Sequence, residues 1–320
     1  RLMMGFAPTK AAGWYIWGDG SWMGCEMGDG TSIVDQMSRR AASAFLEGAD
    51  HVTRRTSPCS RIGATTVCSS QPRTAQRRLA SGKEDLLIEE APLLLDVHGQ
   101  QLLTMRTPGR DRELALGFLL GEGIVNDPRE VVSIATTAGN PDAAKPDEVH
   151  IELTATPQGL AKARLARTHE IRSSCGACGI ADPQALLDDA PALLPGVPRV
   201  EAVVLTKLVE QLKEQQQLFA LTGGCHAAVI ADKRGNVLAA AEDVGRHNAL
   251  DKAIGEAANK GVDLSNSVAV LSGRMGFDLV VKCLRVRIPV MASVSAPSAL
   301  AFDLCEAAGA TLVGFVREDR

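Results

Sequence analysis

From Glu84 onward the apolar positions come in short bursts separated by polar, glycine-bearing turns, and their spacing predicts the elements of the chain. Residues 92–97 and 101–106 are short apolar runs on either side of His98-Gly99, the arrangement of a hairpin. Thr107-Pro108-Gly109 reads as a turn, after which Asp111 is placed to cap a helix running to about Glu122. That helix carries Leu114, Phe118 and Leu119 on one face and ends at Gly123. Residues 149–154 and 160–168 read as a further pair of strands. Beyond residue 200 the pattern changes to alternation. Helices are expected at 206–217, 247–259, 277–285 and 298–308, and strands at 227–231, 237–241, 267–271, 288–292 and 311–316. Strands recurring between helices of this length argue a layered α/β domain whose site lies in loops at strand ends.

Composition separates the first 80 residues from the rest. All three Trp and the only Tyr (Trp14, Tyr15, Trp17 and Trp22) lie within the first 22 residues. The first 80 residues carry ten Lys or Arg against six Asp or Glu, whereas the remaining 240 residues carry 24 against 32. The first 80 have no sustained periodicity and read as a disordered or spurious extension. The expected organisation is therefore an extension over 1–80 and a smaller β-rich α+β subdomain over 84–172. A mobile loop over 173–181 then leads to the α/β domain over 182–320.

A net charge of −4 offers no global attraction to nucleic acid or an anionic membrane, so any anionic ligand needs a local basic cluster. No run approaches the roughly 18 apolar residues of a membrane span. Eight Cys, at 25, 59, 68, 175, 178, 225, 283 and 305, are too sparse for a disulfide scaffold, and no secretory signal is visible. A reducing cytoplasm fits that usage.

The densest chemical signal is Ser173-Ser174-Cys175-Gly176-Ala177-Cys178-Gly179. Flanking glycines give backbone freedom and access, and His169 and Arg172 stand close enough in sequence to favour a thiolate. The spacing admits half a zinc site, a redox dithiol, or a sulfur-carrying thiol with a neighbour. A Cys3His set from Cys175, Cys178, Cys225 and His226 is conceivable, but a second C-x-x-C is absent and the Gly-rich flanks suit a mobile loop better than a closed metal knot. A thioredoxin-like site would place the motif between a first strand and a helix, and here it lies mid-chain.

Four further loops gather small and polar residues where strands meet helices. They are Thr222-Gly223-Gly224-Cys225-His226, Glu242-Asp243-Val244-Gly245-Arg246-His247-Asn248, Ser272-Gly273-Arg274 and Ser295-Ala296-Pro297-Ser298. Taken singly, each is an ordinary turn or helix cap. Taken together they describe a pocket for a phosphorylated ligand, with backbone N–H groups at helix starts and the planar forks of Arg246 and Arg274. His226 and His247 read either as acid–base groups or as hydrogen-bonded core residues, Cys225 as a passive small residue, and Lys252 and Lys282 as solvated helix lysines.

Read in order, these residues resemble the FdhD family of formate dehydrogenase accessory sulfurtransferases. The pieces that carry the resemblance begin with Met105-Arg106-Thr107-Pro108-Gly109, Glu113-Leu114-Ala115-Leu116-Gly117-Phe118-Leu119 and the C-G-x-C-G loop at 175–179. They continue through the E-D-V-G-R-H-N-A-x-D-K block at 242–252, Ser272-Gly273-Arg274 and Leu312-Val313-Gly314-Phe315. The resemblance spans about residues 84–320. It implies a larger domain of cytidine-deaminase-like fold without resident metal, in a homodimer. It implies that a cysteine desulfurase loads sulfur as a persulfide on Cys175, with Cys178 as helper. The sulfur would pass to molybdenum in bis(molybdopterin guanine dinucleotide), bound as substrate and destined for formate dehydrogenase. The family's cofactor-contacting stretch falls here on Phe315, Val316, Arg317, Glu318, Asp319 and Arg320, beside Gly223, His226, Asp243, Arg246, His247, Asn248, Ser272, Gly273, Arg274 and Ser295 of the pocket loops. A cofactor chaperone without sulfur chemistry, or a zinc hydrolase, is the competing expectation.

Overall fold

A computed structural model describes residues 73–167, 193 and 198–317, together with three short strands near the N-terminus. Those three are β1 (Met3–Gly5), β2 (Trp14–Gly18) and β3 (Ser21–Cys25). Next come the paired strands β4 (Thr74–Arg78) and β5 (Glu84–Ile88), then β6 (Ala91–Val97) and β7 (Gln100–Arg106). Helix α1 (Asp111–Gly121), β8 (Val131–Thr137), β9 (Asp147–Leu153) and α2 (Gly159–Arg167) follow. The remainder alternates: α3 (Ala202–Gln215), α4 (Gln217–Thr222), β10 (His226–Asp232), β11 (Val237–Asp243) and α5 (Arg246–Asn259). It ends with β12 (Ser267–Leu271), α6 (Phe277–Arg285), β13 (Val290–Ser293), α7 (Ala299–Ala308) and β14 (Thr311–Val313).

The central sheet runs β11-β10-β12-β13-β14, with β1, β2 and β3 continuing beyond β14. Strands β10, β12 and β13 are buried at nearly every position because both faces are covered. On β10, Ala228 and Ile230 join one buried cluster while Ala227, Val229 and Ala231 join another. The same division separates Ala269, Leu271, Met291 and Leu312 from Val268, Val270, Val290, Ala292 and Val313. Helix α3 covers the second face through Leu205, Leu208, Val209 and Leu212. Helices α5, α6 and α7 cover the first.

The smaller sheet, ordered β7-β6-β9-β8, buries alternate residues Leu93, Leu95 and Val97 of β6 and Val149, Ile151 and Leu153 of β9. These belong to the same cluster as the first face of the central sheet, with α1 between. Helices α1 and α5 cross at reciprocal glycines. A Cβ on Gly117 would lie 1.8 Å from the Asp251 carbonyl oxygen, and one on Gly255 would lie 1.9 Å from that of Glu113. Backbone meets backbone there, and no side chain fits.

Four expectations need correction. Of the strand expected over 160–168, residues 160–167 are instead helical, in α2, because Ala, Lys, Arg and Leu favour helix over the short alternation they display. Asp111 does not cap α1: Arg110 takes that position in a left-handed conformation, and Asp111 binds Arg106 instead. Strand β8, which the sequence reading passed over, forms an outer strand of the smaller sheet. Residues 74–78, assigned to the unstructured extension, pair with β5 as a strand, and β1, β2 and β3 also lie inside that stretch.

Candidate functional site

Because β10 runs antiparallel to both β11 and β12, its beginning lies beside the ends of those strands; His226 is paired with Asp243. Strands β12, β13 and β14 are mutually parallel, so their ends lie at that same edge. All four sequence-predicted loops therefore converge where a layered α/β sheet holds its ligands. They are knitted together. Ser272 Oγ accepts from Ala227 N–H at 2.8 Å, and Ser293 Oγ donates to the Gly273 carbonyl at 2.6 Å. Ser295 N–H donates to Ser293 Oγ at 3.0 Å, and the Ser295 carbonyl accepts from Phe315 N–H at 3.2 Å. Val316 N–H bonds the Ser293 carbonyl, and the Arg317 guanidinium bonds the Val294 carbonyl. A Cβ on Gly314 would strike Pro297 at 2.5 Å, so only glycine lets this turn close. Gly223 ends α4 in a left-handed conformation and is exposed, as is Arg274.

The 242–252 block divides between frame and cleft. Asp243 is fully buried. Its Oδ2 accepts from Lys252 Nζ at 2.6 Å and Thr107 N–H at 3.1 Å, and its Oδ1 accepts from Gly245 N–H at 2.9 Å and Asn248 Nδ2 at 3.2 Å. Lys252 also donates to the Thr107 carbonyl, Asn248 to the Met105 carbonyl, and Val244 N–H to Thr107 Oγ1. Asp243 and Asn248 thus pin the turn after β7 to the start of α5. A cavity of about 150 Å³ lies beside this junction, lined in part by Arg110, Glu242 and Lys252. Glu242 accepts from the N–H groups of Leu218 and Phe219 at the start of α4.

Both lysines expected in solvent are buried. Lys282 bonds Asp251 and Glu122 at 2.8–3.0 Å, and Arg285 adds a second cation beside Glu122. Burial opposes the charge of Lys282, yet the two carboxylates hold it above the ordinary lysine range. Burial pushes Asp251 up, while Lys282 and Arg285 pull Glu122 down despite burial. Burial likewise lowers Lys252, against the pull of Asp243.

The other side of the block is the start of α5. Arg246 and His247 open α5, which has no acidic residue in its first turn. Both reach Asp278, at the start of α6: His247 Nε2 bonds Asp278 Oδ2, and Arg246 Nη2 lies 3.4 Å from the same oxygen. Asp278 is held below the ordinary carboxylate range because the bond and charge of His247, with Arg246, outweigh burial. His226 is half-buried, its ring set against Gly273, where a Cβ would come within 3.1 Å of Nδ1. Burial first, and then the charges of Arg246 and His247, push His226 below its ordinary value.

Cys225, Cys283 and Cys305 are free thiols. Cys225 is buried and donates to Glu242 Oε1 at 3.2 Å; burial, then that bond, push its thiol up to about 12. Burial pushes Cys305 up to about 12 and raises Cys283 as well. None is poised as a thiolate. Cys175, Cys178, Glu318, Asp319 and Arg320 lie outside the described residues. So, in consequence, does the Cys3His alternative. Among the described residues no group of three His, Cys, Asp or Glu side chains is spaced to hold a metal ion, and no helix is long and apolar enough to cross a membrane.

Sequence reasoning missed Thr107 as a junction residue and Asp278 as the acid behind Arg246 and His247. An acidic residue in the first turn of the helix after Ser272-Gly273-Arg274 was the available signal for Asp278.

The profile of the FdhD/NarQ family matches residues 88–320. The sulfur carrier protein FdhD of Streptomyces avermitilis is 41% identical over 247 residues, covering 74% of this chain and 86% of its own length. That of Mycolicibacterium paratuberculosis is 42% identical over 246 residues, covering 75% and 90%. A crystal structure from Desulfotalea psychrophila, assigned as a formate dehydrogenase accessory protein, superposes with a TM-score of 0.60 at 22% identity. It covers 78% of this chain and 95% of that one, and shows a shared fold. The chain belongs to the FdhD/NarQ family.

Proposed function

We propose that this chain is a sulfur carrier for formate dehydrogenase, a cytoplasmic sulfurtransferase that works as a homodimer. A cysteine desulfurase supplies the sulfur, Cys175 carries it as a persulfide with Cys178 as helper, and the acceptor is the molybdenum of bis(molybdopterin guanine dinucleotide). The names of the relatives support the carrier role and the link to formate dehydrogenase. The observation that carries the choice of thiol is the state of Cys225, Cys283 and Cys305, all buried and all held protonated. Cys25, Cys59 and Cys68 precede the family match at residue 88, which leaves the C-G-A-C pair.

The transfer balances without outside oxidant. The Cys175 thiolate attacks the terminal sulfur of the desulfurase persulfide, one S–S bond forms as another breaks, and the desulfurase thiolate leaves. If the Cys178 thiolate then attacks Cys175 Sγ, a disulfide forms and hydrosulfide departs. The carried sulfur gains the two electrons that the two thiols lose, and a cellular dithiol resets the pair. For the guanine dinucleotide, the strand-end loops supply the cations Arg246 and Arg274, the His226 ring and the backbone of 272–273, 295 and 315–317.

Incubation with a cysteine desulfurase and cysteine, followed by mass spectrometry, tests this. The peptide bearing Cys175 should gain the mass of one sulfur atom, and Cys175→Ala should abolish the gain. A chain that binds guanine nucleotide but never acquires sulfur would be a cofactor chaperone instead.

A further inference from the structure

Asp278 lies outside every motif of the sequence, yet it stands directly behind Arg246 and His247. One of its oxygens collects both His247 Nε2 and Arg246 Nη2, from adjacent residues in the first turn of α5. Its side chain is 8% exposed, against 27% for Arg246 and 18% for His247, so the acid is the inner member and the bases the outer ones. The loop makes room for it: a Cβ on Gly276 would lie 2.2 Å from Asp278 Oδ1. Arg246 Nε is buried with no hydrogen-bond partner among the described residues, and α5 begins at Gly245 with no side-chain cap.

We infer that Asp278 is a positioning residue that aims Arg246 and His247 at the pyrophosphate of a guanine nucleotide seated at the start of α5. The inference rests on the nucleotide-binding part of the proposed function. A ring whose Nε2 is fixed to a carboxylate turns Nδ1 away from it. A guanidinium anchored through Nη2 keeps Nη1 for an acceptor outside, while its Nε stays buried. Placed behind both groups, the carboxylate orders them without meeting the ligand's own negative charge.

The test uses the full chain with guanosine diphosphate and guanosine monophosphate as probes. Asp278→Asn keeps the size and removes the charge. It should weaken diphosphate binding by about tenfold, the loss expected when one charge-assisted contact is misaligned. It should weaken monophosphate binding less, and Asp278→Glu should recover part of the difference. In protein carrying nitrogen-labelled histidine, a downfield ring N–H signal assigned through His247→Gln should vanish in Asp278→Asn. Equal weakening of both probes, unchanged diphosphate binding, or a wild-type chain that binds neither probe would overturn the inference. Persulfide on Cys175 is scored in the same preparations, so the sulfur-carrier reading stands or falls separately.

Discussion

Replacing Gly117 or Gly255 with alanine tests the packing that holds α5, and with it the cleft, in place. At an ordinary exposed helical position, glycine to alanine gains about 1 kcal/mol through helix propensity. Here the added methyl carbon would lie 1.8 or 1.9 Å from a carbonyl oxygen of the facing helix, well inside the 3.0 Å below which real Cβ contacts essentially never fall. Backbone cannot swing aside as a side chain can, so the helices must part by roughly an ångström. Overpacking of that kind costs about 1–3 kcal/mol, and a clash with backbone belongs at the upper end. The net expectation is destabilisation by about 2 kcal/mol, opposite in sign to the propensity effect. Urea denaturation followed by circular dichroism measures it. A midpoint that stays put or rises in either variant would show that the helices do not cross as described.

Three further outcomes are expected. Lys252→Met leaves the Asp243 carboxylate buried without its cation and should cost about 3–5 kcal/mol, and adding Asp243→Asn should recover part of that in a double-mutant cycle. Cys225, Cys283 and Cys305, with thiols raised by burial, should resist iodoacetamide at neutral pH in the native protein and react once it is unfolded; prompt native labelling would contradict their assignment as passive. The third concerns acid. The folded state binds a proton at His226 less readily than the unfolded chain, whose ordinary value is 6.5. The associated stability is therefore present above that value and lost as pH falls through the lower folded one. His226→Gln should flatten stability against pH as pH falls below 6.5, and an unchanged slope would count against burial of the ring.

Much of the α/β half was legible because its signals are local. Strands covered on both faces, such as β10 and β12, are unbroken apolar runs between turns, and a helix such as α6 carries its own period. The four loops were legible too, since each gathers small and polar residues where strand meets helix, whereas their convergence depends on a strand order set by long-range pairing. What escaped depends on distant partners. Nothing near Lys252 announces that Thr107, 145 residues away, receives it, and Lys282 finds Asp251 31 residues back. From their surroundings in sequence alone, both therefore read as solvated. The same long-range pairing turns Asp243 and Asn248 from pocket residues into the pins of a junction. Strand β4 has no apolar alternation of its own and exists through its pairing with β5.

The most direct test of the central claim is formate dehydrogenase activity in a strain that lacks its own copy of this protein, complemented with either the wild-type chain or Cys175→Ala. Wild type should restore activity, and the variant, produced at equal level and still folded, should not. Full activity with Cys175→Ala would contradict sulfur carriage by that thiol.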